Sequence, residues 1–129
     1  MAKRVYVDFE SRSQCDIWQS GAYRYAEDPT TEILCLAWAV DDGPVTGAIK
    51  GHSLAAAIPT INKLITEGAE FHAHNAYFER CIWRHKALAL GFLPIPLRLW
   101  RCTAAKVSAH ALPRRLEHAA LALGCPHTK

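Results

Sequence analysis

Two carboxylates stand close together near the start of the chain. Asp8 and Glu10 alternate with the apolar residues Val5, Val7 and Phe9. On a β-strand, the three apolar side chains would share one face and both carboxylates the other. Two adjacent negative charges repel, and a divalent cation such as Mg²⁺ or Mn²⁺ resolves that repulsion through hard oxygen ligands. The pattern indicates either a strand that holds a metal ion or a solvated strand end with two surface acids.

A second chemical group lies where a short predicted strand passes into a helix. His74 and Asn75 end the strand, and Glu79 follows one helical turn after Asn75, a suitable N-cap. If this strand lies beside the first, Glu79 would face Asp8, and three carboxylates would converge as a two-metal phosphoryl-transfer site requires. The alternative is that Glu79 stabilises the positive end of its own helix.

The pattern of apolar residues predicts the elements that position these acids. We expect an α/β fold with a mixed central sheet, its first three strands antiparallel, flanked by helices. The segment from Ser11 to Tyr25 is predicted to be a loop, and Pro59 is expected to kink a helix or to mark its start. Strands are predicted at 5–10, 32–40, 45–50, 70–73 and 97–100, and helices at 53–67, 75–90, 103–109 and 114–123.

Size and composition are those of one globular domain. The chain has 129 residues, half of them hydrophobic and 21% charged. No apolar run reaches the length of a membrane span, and the N-terminus does not resemble a secretory signal. Five cysteines lack paired spacing, so we expect reduced thiols and a cytoplasmic location.

Charge is distributed unevenly along the chain. Residues 1–79 carry a net charge of −5, whereas residues 80–129 carry +8. An acidic part that could hold metal beside a basic part that could hold phosphate is the layout that a nuclease needs. The alternative is that the basic residues simply coat the outer faces of the C-terminal helices.

The ordered motifs resemble the DEDD (DnaQ-like) 3′–5′ exonucleases, which have an RNase H-like fold. The sequences Asp8-Phe9-Glu10 and His74-Asn75-x-x-Phe78-Glu79 look like the first two motifs of that family. The chain resembles most the exonuclease domain of phage-type family A DNA polymerases. That resemblance rests on residues 8–13, 21–29, 32–36, 73–76, 78–80, 100–104 and 112–124.

The resemblance implies a role for each matching residue. Asp8 would bridge two Mg²⁺ or Mn²⁺ ions, Glu10 would bind the ion that carries the attacking water, and Glu79 would hold the other. Phe9 and Asn75 would shape the pocket for the 3′ nucleotide. The substrate-binding set is predicted to be Phe9, His74, Asn75, Tyr77 and Phe78.

Two of these residues have alternatives of their own. Tyr77 either stacks on a base or packs half-buried, and Phe78 is a core residue at least as readily as a substrate contact. The implied function is proofreading at the 3′ end of single-stranded DNA, beside a polymerase domain and in a phage or prophage of a bacterial host.

Two departures from the family pattern bear on activity. Glu79 stands where the family usually has Asp. The third motif, Tyr-x-x-x-Asp or His-x-x-x-x-Asp, has no match, because five apolar residues follow His118. We therefore expect a single domain, residues 1–129, that lacks the final catalytic helix and has weak or no activity alone. The alternatives are a catalytically dead module that binds single-stranded nucleic acid or a protein partner, and a site completed by another chain.

Other readings carry less weight. The spacing of His72, His74, Cys81 and His85 matches no common structural zinc site. His52, His110 and His127 are predicted to be surface residues. The four tryptophans, Trp18, Trp38, Trp83 and Trp100, are expected to be core residues rather than base-stacking platforms.

Overall fold

The computed structural model describes residues 1–126, which form a five-stranded mixed sheet flanked by helices. The strand order is β3-β2-β1-β4-β5. Pairing is antiparallel from β3 through β2 to β1 and parallel from β1 through β4 to β5. This is the RNase H-like arrangement, so the predicted fold class is confirmed. The strands are β1 (Arg4–Arg12), β2 (Glu32–Val40), β3 (Thr46–Ile49), β4 (Glu70–Ala73) and β5 (Trp100–Cys102).

Strand β1 lies at the centre of the sheet because one of its faces is fully apolar. Val5, Val7 and Phe9 are buried, while Asp8 and Glu10 are exposed on the other face. The register with β2 shifts between Glu10 and Ser11: Glu10 pairs with Cys35 and Ser11 with Ile33, so Leu34 of β2 is the extra residue. Such irregularities re-aim neighbouring side chains and are common beside functional sites.

Six α-helices connect and cover the strands. They are α1 (Ile17–Glu27), α2 (Leu54–Thr66), α3 (Ala76–Ile82), α4 (Leu88–Leu90), α5 (Thr103–Ala109) and α6 (Leu116–Ala122). A π-helical turn, Trp83–Ala87, joins α3 to α4 and makes 76–90 one helical segment. Gly91 ends that segment with φ +109°, a backbone conformation that favours glycine.

The predicted loop at residues 11–25 is wrong, because α1 occupies most of it. The Asp16 side chain caps the helix by accepting a hydrogen bond of 2.9 Å from the Trp18 N–H. Gly21 then breaks the helix with φ +83° and ψ 167°, so α1 is two short pieces joined at a kink. Neither piece is long enough to give a clear helical pattern of apolar residues.

Two smaller points of the prediction need correction. The fifth strand begins at Trp100, not Leu97, since Leu97–Leu99 form a 3₁₀ turn. Pro59 does not mark the start of its helix, because α2 begins at Leu54 and contains Pro59. Ser53 precedes that helix, but its hydroxyl accepts from the Ile49 N–H at 2.9 Å instead of capping α2.

The core is organised around Trp83, in the π-helical turn. The ring centroids of Phe9, Phe71, Phe92 and Trp100 lie 5.2–6.0 Å from that of Trp83. Its indole N–H donates to the Leu93 carbonyl at 2.8 Å, which satisfies its polar atom. Trp83 therefore ties the central strand, the helical segment and the loop after it into one cluster.

The other three tryptophans differ in how far they are buried. Trp38 and Trp100 pack half-buried against the core, as expected, but Trp18 is 95% exposed, so the prediction that it is a core residue is wrong. Trp18 occupies the first turn of a helix too short to bury it.

All five cysteines are free, as the sequence predicts. None of the helices in residues 1–126 combines the length and apolar character needed to cross a bilayer. The predicted surface position of His127 lies outside the described residues.

Candidate functional site

Glu79 is the acid whose position matters most. It lies on the first turn of α3 and is only 3% exposed, and its Oε2 has no hydrogen-bond partner among the described residues. A buried carboxyl oxygen without a partner is costly, so it calls for an explanation such as a bound ion or a functional role. The structure thus places Glu79 inside the fold rather than on a solvated helix end.

The electrostatics of Glu79 link it to the first strand. The pKa of Glu79 is raised to about 8, chiefly by burial; the negative charges of Asp8 and Cys102 also raise it, while hydrogen bonds from the backbone N–H groups of Glu79 and Phe9 lower it. Asp8 and the Phe9 backbone are therefore near the Glu79 carboxylate. This is the proximity of Glu79 to the first strand that the sequence predicts.

Asp8 and Glu10 occupy the exposed face of β1, two residues apart. Asp8 lines a cleft of about 440 Å³ between the sheet and helices α5 and α6. The far wall of the cleft is mostly apolar and comes from Val107, Leu116, Ala119, Ala120 and Leu123. An exposed acid at one rim of an apolar cleft is a suitable place for a charged ligand group.

The three acids do not form a ready-made metal site. Within residues 1–126, no three His, Cys, Asp or Glu side chains are grouped so that they could hold a metal ion. The donor chemistry of Asp8, Glu10 and Glu79 still fits Mg²⁺ or Mn²⁺, and the unpartnered Oε2 of Glu79 fits a missing ligand. Their role as metal ligands stays a prediction.

The His74 side chain connects the end of strand β4 to α5 and to the loop before α6. Its Nε2 lies 2.6 Å from the Arg114 carbonyl, which can only accept, so Nε2 carries the hydrogen. In the neutral ring, Nδ1 then accepts from the Thr103 hydroxyl at 2.9 Å. Both nitrogens are engaged with protein groups that hold the end of β4 to the start of α5 and to the loop before α6. Its role as a substrate contact stays a prediction.

The other predicted substrate residues are dispersed. The Phe9 ring is buried against Trp83, and Phe78 packs half-buried beside Tyr25. Asn75 is exposed and left-handed, with φ +65°, and its side chain does not cap α3. Tyr77 is half exposed beneath Arg80. Of the five predicted residues, Phe9 is near Glu79 through its backbone, and the substrate-binding role of all five stays a prediction.

The chain is 38% identical over 128 residues to a DNA polymerase of Bacillus phage SP02. It is similar to a phage DNA polymerase. The match covers 94% of this chain but only 18% of the polymerase, so the chain spans less than a fifth of that relative's length.

Two further comparisons complete the findings. No family model matches the chain. Among solved structures, the family B DNA polymerase of the archaeon Pyrobaculum calidifontis aligns with 77% of this chain and 12% of its own, at 17% identity and a TM-score of 0.45.

Cys102 is a residue at this site that the sequence did not single out. It precedes α5, and its Sγ accepts from the Ala76 N–H at 3.4 Å. Burial raises the pKa of the thiol, but hydrogen bonds from backbone N–H groups at the starts of α3 and α5 outweigh it and lower that pKa. Its charge acts on Glu79. From the sequence, only the position of Cys102 immediately before a predicted helix could have indicated that the pKa of its thiol is lowered.

Proposed function

We propose that the chain is a 3′–5′ exonuclease-type domain of a DNA polymerase, acting on the terminal phosphodiester of single-stranded DNA. The observation that carries the proposal is the buried carboxylate of Glu79 beside Asp8, on a chain similar to a phage DNA polymerase. Proofreading, a phage or prophage origin, and membership of polymerase family A are parts of the same proposal.

The proposed ligand set is Asp8, Glu10 and Glu79. Bound Mg²⁺ or Mn²⁺ would supply positive charge to the attacking and leaving oxygens of the scissile phosphate. Glu10 would orient a water through its exposed carboxylate. Asp8 would present its oxygens at the rim of the cleft, where the 3′ end would enter.

A second candidate is suggested by the positions of the three acids. Glu79 is buried whereas Asp8 and Glu10 are exposed, and within residues 1–126 the three do not form a metal-binding group. A two-metal site without all its ligands holds its ions weakly, and the positive charge that would stabilise the transition state is then reduced. The second candidate is therefore a catalytically dead module that binds single-stranded nucleic acid or a protein partner.

A gel assay separates the two candidates. A 5′-labelled single strand is incubated with Mn²⁺ and the wild-type chain, Glu10→Ala or Glu117→Ala, the last being a control acid on α6. The exonuclease proposal expects slow one-nucleotide shortening with wild type and with Glu117→Ala, and none with Glu10→Ala. Shortening that persists in Glu10→Ala would exclude the proposed site, and no shortening in any chain would favour the dead module.

Metal binding is tested separately from hydrolysis. We expect titration calorimetry to detect weak Mn²⁺ uptake by the wild-type chain and none by Asp8→Ala, because Asp8 is the acid proposed to contact both ions. Asp41→Ala serves as the control, since Asp41 lies in the turn after β2. Equal Mn²⁺ uptake by the wild type and Asp8→Ala would refute the ligand assignment.

A further inference from the structure

A second concave surface lies beside the helical segment 76–90, and none of the acids Asp8, Glu10 or Glu79 lines it. This groove has a volume of about 300 Å³. Its walls come from α1, from the helical segment and from the loop and turn before β5. The residues that matter here are Tyr23, Tyr77, Arg80, Arg84, Leu97 and Trp100.

Two tyrosine rings in the groove are unusually accessible. Tyr23 is 42% exposed and Tyr77 is 52% exposed. Tyr23 is held edge-on to His85 with ring centroids 4.9 Å apart, and the Arg80 guanidinium lies 5.9 Å from the Tyr77 ring centre. Accessible flat rings beside apolar Leu97 are suited to stacking on another flat, partly polar group, and a nucleobase is such a group.

The charged side chains that line the groove, Arg80 and Arg84, are both basic. Arg80, on α3, and Arg84, in the π-helical turn that follows, both line the groove. None of the described residues that line the groove is acidic. Guanidinium groups bind phosphate through paired hydrogen bonds and stack on aromatic faces, so this groove is complementary to a polyanion that carries flat bases.

We propose that the groove binds single-stranded nucleic acid, with bases against Tyr23 and Tyr77 and phosphates on Arg80 and Arg84. An acidic polypeptide would satisfy the arginines but would leave the flat rings without a stacking partner. A duplex would keep its bases stacked on one another and unavailable to the tyrosines. The proposal goes beyond hydrolysis, because binding here needs neither a metal ion nor the three acids.

The test measures binding where no hydrolysis can occur. Fluorescence anisotropy of a short labelled oligothymidylate is recorded in EDTA with the full 129-residue chain. Arg80→Ala/Arg84→Ala should weaken binding at least about ten-fold and reduce the slope of log affinity against log salt by about 1.4, the value for two phosphates of a single strand. The control Lys3→Ala/Arg4→Ala removes two charges outside the groove and should change affinity less than two-fold.

Stacking is tested with a variant that keeps the charge. Tyr77→Leu retains apolar volume but loses the aromatic face, and it should weaken binding about five-fold or more with an unchanged salt slope. Arg80→Lys/Arg84→Lys keeps both charges and should retain most of the salt slope. Circular dichroism of each variant, matched to the wild type, establishes that a loss of binding is not a loss of folding.

Several results would overturn the proposal. They are wild-type binding by Arg80→Ala/Arg84→Ala, equal weakening by the Lys3/Arg4 control, and displacement of the strand by duplex DNA or polyglutamate as effectively as by unlabelled single strand. Retained binding together with a negative gel assay would refute the exonuclease proposal alone. The two proposals therefore fail separately.

Discussion

At the scale of single residues, Glu79 combines burial with an unpartnered oxygen. Its folded-state pKa of about 8 lies above the ordinary value of 4.5 because burial disfavours the ionised form. The unfolded chain would release this proton near pH 4.5, whereas the folded chain would keep it until about pH 8. Stability contributed by the protonated acid is therefore complete below pH 4.5 and is lost progressively as the pH rises to about 8.

Glu79→Gln should remove this loss. Without added metal, the free energy of unfolding of wild type relative to the variant should fall by about 2–4 kcal/mol between pH 4.5 and pH 8.5. Urea unfolding at several pH values measures the difference. Glu117→Gln, at an exposed site on α6, should follow the wild-type pH profile. A Glu79→Gln profile parallel to that of wild type would mean that Glu79 is ionised in the folded chain.

At the scale of elements, helix α1 depends on the kink at Gly21. A backbone with φ +83° and ψ 167° is open almost only to glycine, although no atom within 4 Å would clash with an added Cβ. Gly21→Ala should therefore cost about 1–3 kcal/mol through backbone strain alone. Urea unfolding checks the change.

Gly47 supplies the matched control for the kink. It also has open space where a Cβ would lie, but its φ is not in the left-handed region. Gly47→Ala should therefore be neutral or slightly stabilising. An equal cost at both positions would show that the side chain, and not the backbone conformation, is responsible.

At the scale of the whole molecule, Trp83 connects the sheet to the helical segment that carries Glu79. Trp83→Ala would leave a cavity among four aromatic rings and the Leu93 carbonyl without its donor. We expect a loss of about 3–5 kcal/mol in the free energy of unfolding. Trp18→Ala removes the same side chain from a 95% exposed position and should change stability by less than about 0.5 kcal/mol. Similar losses at both positions in urea unfolding would contradict this account of the core.

The sequence alone determined the bounds of β2 and which face of β1 is apolar and which is acidic. Alternating apolar residues fix which side chains of a strand are buried, and β2 has the bounds that its apolar run predicts. These are local properties, because a strand's two faces follow from its own sequence. Residues 17–25 were predicted to be a loop because α1 depends on its Asp16 cap and on the kink at Gly21, and not on a periodic pattern of apolar residues.

Only the tertiary structure decided which chemical groups meet. The parallel pairing of β1 with β4 brings the start of α3, and so Glu79, against the first strand, across more than sixty residues of chain. The pairing of β4 with β5 places the Cys102 thiol near Glu79, and the packing of α5 and of the loop before α6 gives both nitrogens of His74 hydrogen-bond partners. Burial, and with it the pKa of Glu79, depends on atoms from several elements at once, and no local pattern of residues contains that information.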